Sequence, residues 1–140
     1  MAELSKQKAK TWKAFSALIR TRDCLEWMKS NPEVNELMGA CVTCGRVYPY
    51  KTLQAGHFIP GRKNSILFNE ESTFGQCYGC NCGRNGNVIN YYPFMLKRYG
   101  QEKIDELIAL NKTEVKFTIE ELEEKEKDYI RRTADLLDNI

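Results

Sequence analysis

Two Cys-x-x-Cys pairs, Cys41-Val42-Thr43-Cys44 and Cys77-Tyr78-Gly79-Cys80, limit what this 140-residue chain can fold into more than any other feature. Four thiolates at this spacing predict a tetrahedral site for one structural zinc ion. Each pair is accompanied by small residues (Gly45; Gly79 and Gly83), as a backbone bent around an ion requires. A redox Cys-x-x-Cys would use one pair, so the second pair favours metal. The N-terminal MAELSKQKAKTWK lacks the apolar stretch of an export signal. A cytoplasmic setting is therefore expected, where thiols stay reduced. Of the remaining cysteines, Cys24 falls in helical sequence and reads as a buried small apolar group. Cys82 reads as a spectator beside the better-spaced pair at 77 and 80.

Residues 45–76 separate the two pairs, and these 32 residues exceed the roughly 15–20 of a common four-cysteine zinc module. A zinc ion here would pin together the two ends of another structure. The insert holds the single histidine of the chain, His57, within Leu53-Gln54-Ala55-Gly56-His57-Phe58-Ile59-Pro60-Gly61-Arg62-Lys63. One histidine excludes a C2H2 finger, whose helix needs two.

Around the insert the pattern is mostly helical. Trp12, Phe15 and Ile19 recur at helical spacing among lysines, predicting a helix over 5–29. Asn31-Pro32 should end it, and Glu33–Met38 could add a short helix closed by Gly39. Residues 41–68 look non-helical, with short apolar runs at Leu53–Ile59 and Ile66–Phe68 read as two strands. A helix should begin near Asn90 and stop at Gly100, with Tyr91, Tyr92, Phe94, Met95 and Leu96 as core rather than as platforms for bases. Glu102–Leu110 should form another. Thr118-Ile119-Glu120-Glu121 is a capping box that opens a charged helix to about Leu137. The expected fold is α+β: a basic helical arm (1–40), a zinc-stapled core (41–100) and an acidic helical segment (101–140) packing on that core, all one domain. No apolar run approaches the roughly 18 residues of a membrane span, so no membrane partner is expected.

The net charge of +2 conceals a gradient. Residues 1–63 carry 11 Lys and Arg against 5 Asp and Glu, whereas 101–140 carry 7 against 12. A polyanion would meet the first hundred residues. Arg62, Lys63 and Arg84 are candidates to hold backbone phosphates, with the basic helix at Lys6–Arg22 extending the track.

A strand pair followed by a helix, stapled by four cysteines with a histidine on the first strand, resembles the ββα-metal site of HNH endonucleases. His57-Phe58-Ile59-Pro60 and Cys77-Tyr78-Gly79-Cys80-Asn81 occupy the matching places. More specifically, Ala55-Gly56-His57, Leu67-Phe68-Asn69-Glu70, Gln76-Cys77, Cys80-Asn81 and Gly86-Asn87 resemble the NinG (Rap) family of phage recombination nucleases. Tyr92–Leu96 and Gly100-Gln101-Glu102 extend the likeness, which covers roughly residues 8–137.

That resemblance implies a metal-dependent endonuclease acting on branched DNA such as D-loops and Holliday junctions in the bacterial cytoplasm, alongside host or phage recombination proteins. It implies His57 as general base, Asn81 and Asn87 against the catalytic metal or scissile phosphate, and Mg²⁺ or Mn²⁺ beside the structural zinc. Three positions depart from the pattern. Gln54 stands where some members carry Asp, Ser72 where the HNH asparagine falls, and Asn81 where HNH enzymes carry histidine. These departures leave two alternatives open: a zinc-containing protein that binds branched DNA without cutting it, and a zinc scaffold for protein partners. The stripe of Leu122, Tyr129 and Leu136 would serve the second, or a homodimer, unless it packs on its own chain.

Overall fold

Small and apolar residues at Thr11, Ala14, Phe15, Leu18, Ile19 and Cys24 fall on one helical face and are all buried. They lie on a single long helix, α1 (Ala2–Lys29), in a computed structural model that describes residues 2–139. Four strands follow in two antiparallel hairpins: β1 (Met38–Ala40) with β2 (Val47–Pro49), and β3 (Leu53–His57) with β4 (Thr73–Cys77). A four-residue helix, α2 (Asn64–Leu67), sits between β3 and β4. Three helices complete the chain: α3 (Val88–Tyr99), α4 (Gln101–Asn111) and α5 (Ile119–Asp138).

Two expected elements are corrected. Glu33–Met38 forms no helix, and Met38 instead opens β1, opposite Pro49. Close approach to α1 accounts for the extended path: a Cβ added at Gly39 would lie 3.1 Å from Cys24 Sγ and 3.2 Å from its Cα. Ile66–Phe68 is likewise not the second strand. The amides of Ile66 and Leu67 both donate to the Lys63 carbonyl and close a helical turn. A three-residue apolar run has no period of its own, so its conformation follows its neighbours.

The β3–β4 hairpin is the centre of the molecule. Its register pairs Gln54 with Gln76, Gly56 with Phe74 and His57 with Thr73. Alternation sends residues 53, 55 and 57 to one face and 54 and 56 to the other. Ala55 packs with Phe15, Leu18, Ile19 and Tyr129, on the side of α1 and α5. Phe74 joins Phe58, Tyr91, Met95, Ile104 and Leu107, on the side of α3 and α4. Helices therefore cover both faces, which is why every residue of β4 is buried.

The free edge of β4 is also closed. The Gly75 amide donates to Asp23 Oδ2 (2.7 Å), and its carbonyl accepts from the Val42 amide (2.9 Å). Arg22 donates to the carbonyls of Glu70 and Thr73. Side chains of α1 thus replace the missing strand and remove the edge as a template for aggregation.

The capping box of α5 forms as its sequence requires, with Thr118 and Glu121 bonding each other's backbone. Leu122 and Tyr129 are buried and Leu136 packs against the α1 cluster, so this stripe is covered within the chain. Polar contacts fix the register: Thr11 Oγ1 donates to the Leu122 carbonyl (2.8 Å), and Gln7 Nε2 to Glu126 (2.8 Å). Arg132 and Glu70 form a bidentate ion pair at 2.5 and 2.9 Å. Among the described residues, no helix is long and apolar enough to cross a membrane.

Gly56 has no space for a side chain, since a Cβ there would stand 1.9 Å from Gln76 Oε1 and 2.8 Å from Gln76 Cβ. Gln76 is fully buried and has no room to retreat. Gly56→Ala should therefore destabilise the fold by about 1–3 kcal/mol, read as a lower urea midpoint with unchanged slope.

Candidate functional site

Both cysteine pairs sit where a hairpin ends. The first occupies the tip of β1–β2, where the Cys41 amide donates to the Arg46 carbonyl and the Gly45 amide to the Cys41 carbonyl. Gly45 takes φ +77° there, a left-handed turn suited to glycine. The second starts at the last residue of β4 and continues into a single wide helical turn over Gly79–Gly83.

Together they bring the four sulfurs of Cys41, Cys44, Cys77 and Cys80 within 4.8 Å of one another. A tetrahedral ion about 2.3 Å from each sulfur sets sulfur–sulfur spacings of about 3.8 Å. The Cys44–Cys77 separation is 3.9 Å, so the cluster fits a structural Zn²⁺. Cys24 is buried against Gly39 with its thiol pushed up to about 12 by burial, and Cys82 is exposed; neither joins the cluster. Burial resists charge on Cys41, but the Thr43 hydroxyl and nearby backbone amides outweigh it and bring the thiol down to about 6.

Asn87, in a left-handed conformation at φ +49°, directs its amide to Cys80 Sγ at 3.5 Å. Its placement is therefore beside the sulfur cluster, where N–H···S bonds support a ligand from the outer shell. Gln76, of the Gln76-Cys77 motif, joins the two knuckles. Its amide nitrogen donates to Thr43 Oγ1 in the first and to the Gly86 carbonyl beyond the second.

His57 ends β3, and the strand is held just before it by Tyr91, whose hydroxyl donates to the Gly56 carbonyl at 2.7 Å. The imidazole Nε2 lies 3.0 Å from the Leu67 carbonyl. A carbonyl only accepts, so Nε2 carries the proton and Nδ1 keeps its lone pair. The ring is partly buried. Burial lowers its pKa, the Leu67 bond opposes this, and the charge of Arg62 adds to the lowering.

The remaining sequence candidates lie in two groups. Asn81 donates to Gln54 Oε1 at 2.7 Å, bringing two amide side chains together across the hairpin–helix junction. Ser72 is buried and bonds Asn69, which makes it part of the turn leading into β4. Arg62, Lys63 and Arg84 are exposed, and among the described residues none pairs with a carboxylate. Two contacts of His57 were not readable from the sequence: the Leu67 carbonyl, because a backbone acceptor has no residue signature, and the indole of Trp12, which stacks on the imidazole although its spacing matches that of core residues.

A mixed α+β protein, with long terminal helices packed together and a four-cysteine centre suited to zinc, is the class that this fold and site define. The family model described as Bacteriophage Lambda NinG protein matches residues 2–138, and the chain belongs to that family. Protein ninG of Escherichia phage lambda is 32% identical over 97 residues, which cover 69% of this chain and 47% of that protein. The ninG proteins of Escherichia phage 933W (30% identical over 97 residues, 69% and 47%) and Salmonella phage P22 (27% over 100 residues, 71% and 48%) match similarly. The chain spans about half the length of these curated relatives. No solved structure matches it.

If the four sulfurs hold zinc, the purified protein should contain one zinc per chain by elemental analysis. Cys24→Ser and Cys82→Ser should leave that content unchanged, while Cys44→Ser should lose it. Asn87→Ala should keep the zinc but weaken it about 10–100-fold in chelator competition.

Proposed function

We propose that this protein is a metal-dependent endonuclease of the HNH type that hydrolyses phosphodiester bonds in branched DNA during phage recombination, with His57 as general base. The observation that carries this reading is the hydrogen bond from His57 Nε2 to the Leu67 carbonyl, at the end of a strand in a zinc-stapled hairpin backed by a helix. This bond fixes the tautomer that a base needs. Nδ1 is left as the acceptor for a proton from attacking water. The lowered pKa keeps the ring neutral, and therefore competent, at cellular pH.

Gln54 Oε1 already accepts from Asn81, on the hairpin face opposite His57. Asn81 Oδ1 is the hard neutral oxygen that this reading offers a second cation, suited to Mg²⁺ or Mn²⁺ completed by water and phosphate oxygens. Such an ion, when bound, would neutralise charge on the phosphate and stabilise the leaving 3′-oxygen. The exposed guanidinium groups of Arg62 and Arg84, with Lys63, would hold the DNA backbone. Among the described residues, none of the three has a carboxylate to displace first.

One observation favours a second reading, in which the protein binds branched DNA without cutting it. Among the described residues, the four cysteines are the one group of three or more His, Cys, Asp or Glu side chains that could hold a metal. The proposed catalytic cation would thus lack a protein carboxylate.

Cleavage of a synthetic four-way junction separates the two. Wild-type protein with Mg²⁺ or Mn²⁺ should nick it, and His57→Ala should lower the rate by about 10²–10⁴-fold without changing zinc content or stability. The rate should be flat near pH 7 and fall on acidification, with a midpoint below the ordinary histidine value of about 6.5. Stable binding with no nicks in any metal would favour the binder, and an unimpaired His57→Ala would remove His57 from the chemistry.

A further inference from the structure

Trp12 has the helical spacing of Phe15 and Ile19, but it does not enter the core with them. Phe15 and Ile19 are completely buried, whereas Trp12 is half-buried at the edge of the cluster. Its indole lies against His57, with ring centroids 5.1 Å apart and planes 26° from parallel, an offset stack. The guanidinium carbon of Arg62 stands 4.3 Å from the same indole. Arg62 reaches it through a tight turn in which Gly61 has φ +104° and Arg62 itself φ +51°. A left-handed conformation at a bulky residue is strained, and such strain persists where the surroundings fix the side chain. A cavity of about 310 Å³ opens beside the stack, with Lys8, Trp12, Arg62 and Leu67 among its walls.

The geometry of His57 shows why a stack is needed. Its one hydrogen bond among the described residues, to the Leu67 carbonyl, fixes a point on the ring and not a plane. The imidazole could pivot about that bond and swing Nδ1 through an arc. A flat aromatic surface against one face removes the pivot. Among the described residues, the aromatic surface stacked on it comes from α1, forty-five positions earlier in the chain.

We propose that Trp12 is a positioning residue of the nuclease site, its indole fixing the plane of the His57 imidazole and the reach of the Arg62 guanidinium beside it. The proposal rests on the reading of His57 as general base. Trp12 takes no proton and touches no reacting atom. It acts through the orientation of the base and through the fixed spacing between that base and a phosphate-binding cation. Removing the stack should therefore lower turnover far more than affinity.

The test uses the full chain and a synthetic four-way junction with Mg²⁺, comparing wild type, Trp12→Ala, Trp12→Phe and His57→Ala. Because His57 is the single histidine, its ring can be followed without assignment by NMR of the imidazole protons and nitrogens. Trp12→Ala should cleave up to about 10²-fold more slowly with junction affinity within about twofold of wild type. Its His57 ring protons should lose the ring-current shift of the indole, and its nitrogens the pattern of one protonated and one bare. Trp12→Phe, which keeps an aromatic face, should recover most of both. If Trp12→Ala fails to fold, Trp12→Leu replaces it with the same expected outcomes. A fully active Trp12→Ala beside an inactive His57→Ala would overturn this proposal alone, as would lost activity with an unchanged His57 spectrum. Wild-type cleavage by His57→Ala would overturn the proposal together with the reading it rests on.

Discussion

The four-thiolate cluster is the constraint on which the rest of the molecule depends. Two hairpins with strands of three and five residues would be marginal in water, since so few backbone pairs cannot offset the entropy of ordering them. Cys41 and Cys44 at the tip of one, and Cys77 and Cys80 at the end of the other, let one divalent ion tie both together. The side chains around the cluster carry that order outward. Gln76 and Asn87 reach from it to the first knuckle and to the loop before α3, and Tyr91 then holds the backbone at Gly56. His57 is the next residue. An ion held by the four sulfurs would thus be linked, through Asn87 and Tyr91, to the backbone just before the histidine without touching it.

The long N-terminal helix does the complementary work. It supplies the apolar face that covers one side of the β3–β4 hairpin, closes the open edge of β4 through Asp23, and provides the surface on which α5 packs. Its basic residues set the charge of the first half of the chain, while the acidic α5 lies along it. Among the described residues no ion pair joins the two helices, which meet through apolar side chains and neutral donors such as Gln7 and Thr11.

Much of this was legible in the residues themselves. Metal knuckles have a fixed spacing, a capping box has a four-residue signature, and glycine marks a turn such as that between α3 and α4, where Gly100 has φ +90°. These features are local, and local chemistry is written locally. The β1–β2 hairpin was not legible, because Met38–Ala40 has no strand pattern and is extended only through contact with Cys24 and pairing with Val47–Pro49. The same holds for the turn at Ile66–Leu67. Asn87 read as a contact for a phosphate or catalytic metal, and lies instead on Cys80 Sγ, a placement that depends on where the second knuckle folds. Trp12 was hidden by its own regularity, since helical spacing describes core residues and one that has left the core equally well.

The proposed function requires two distinct metal sites in one chain, a closed sulfur site for architecture and an open oxygen site for hydrolysis. The most direct measurement follows zinc content and junction cleavage together through a cycle of EDTA treatment and Mg²⁺ addition. With two sites, EDTA should stop cleavage while one zinc per chain remains, and Mg²⁺ alone should restore it. Cleavage that falls only as zinc is lost and returns only with zinc would contradict the two-site arrangement, as would cleavage that EDTA leaves untouched.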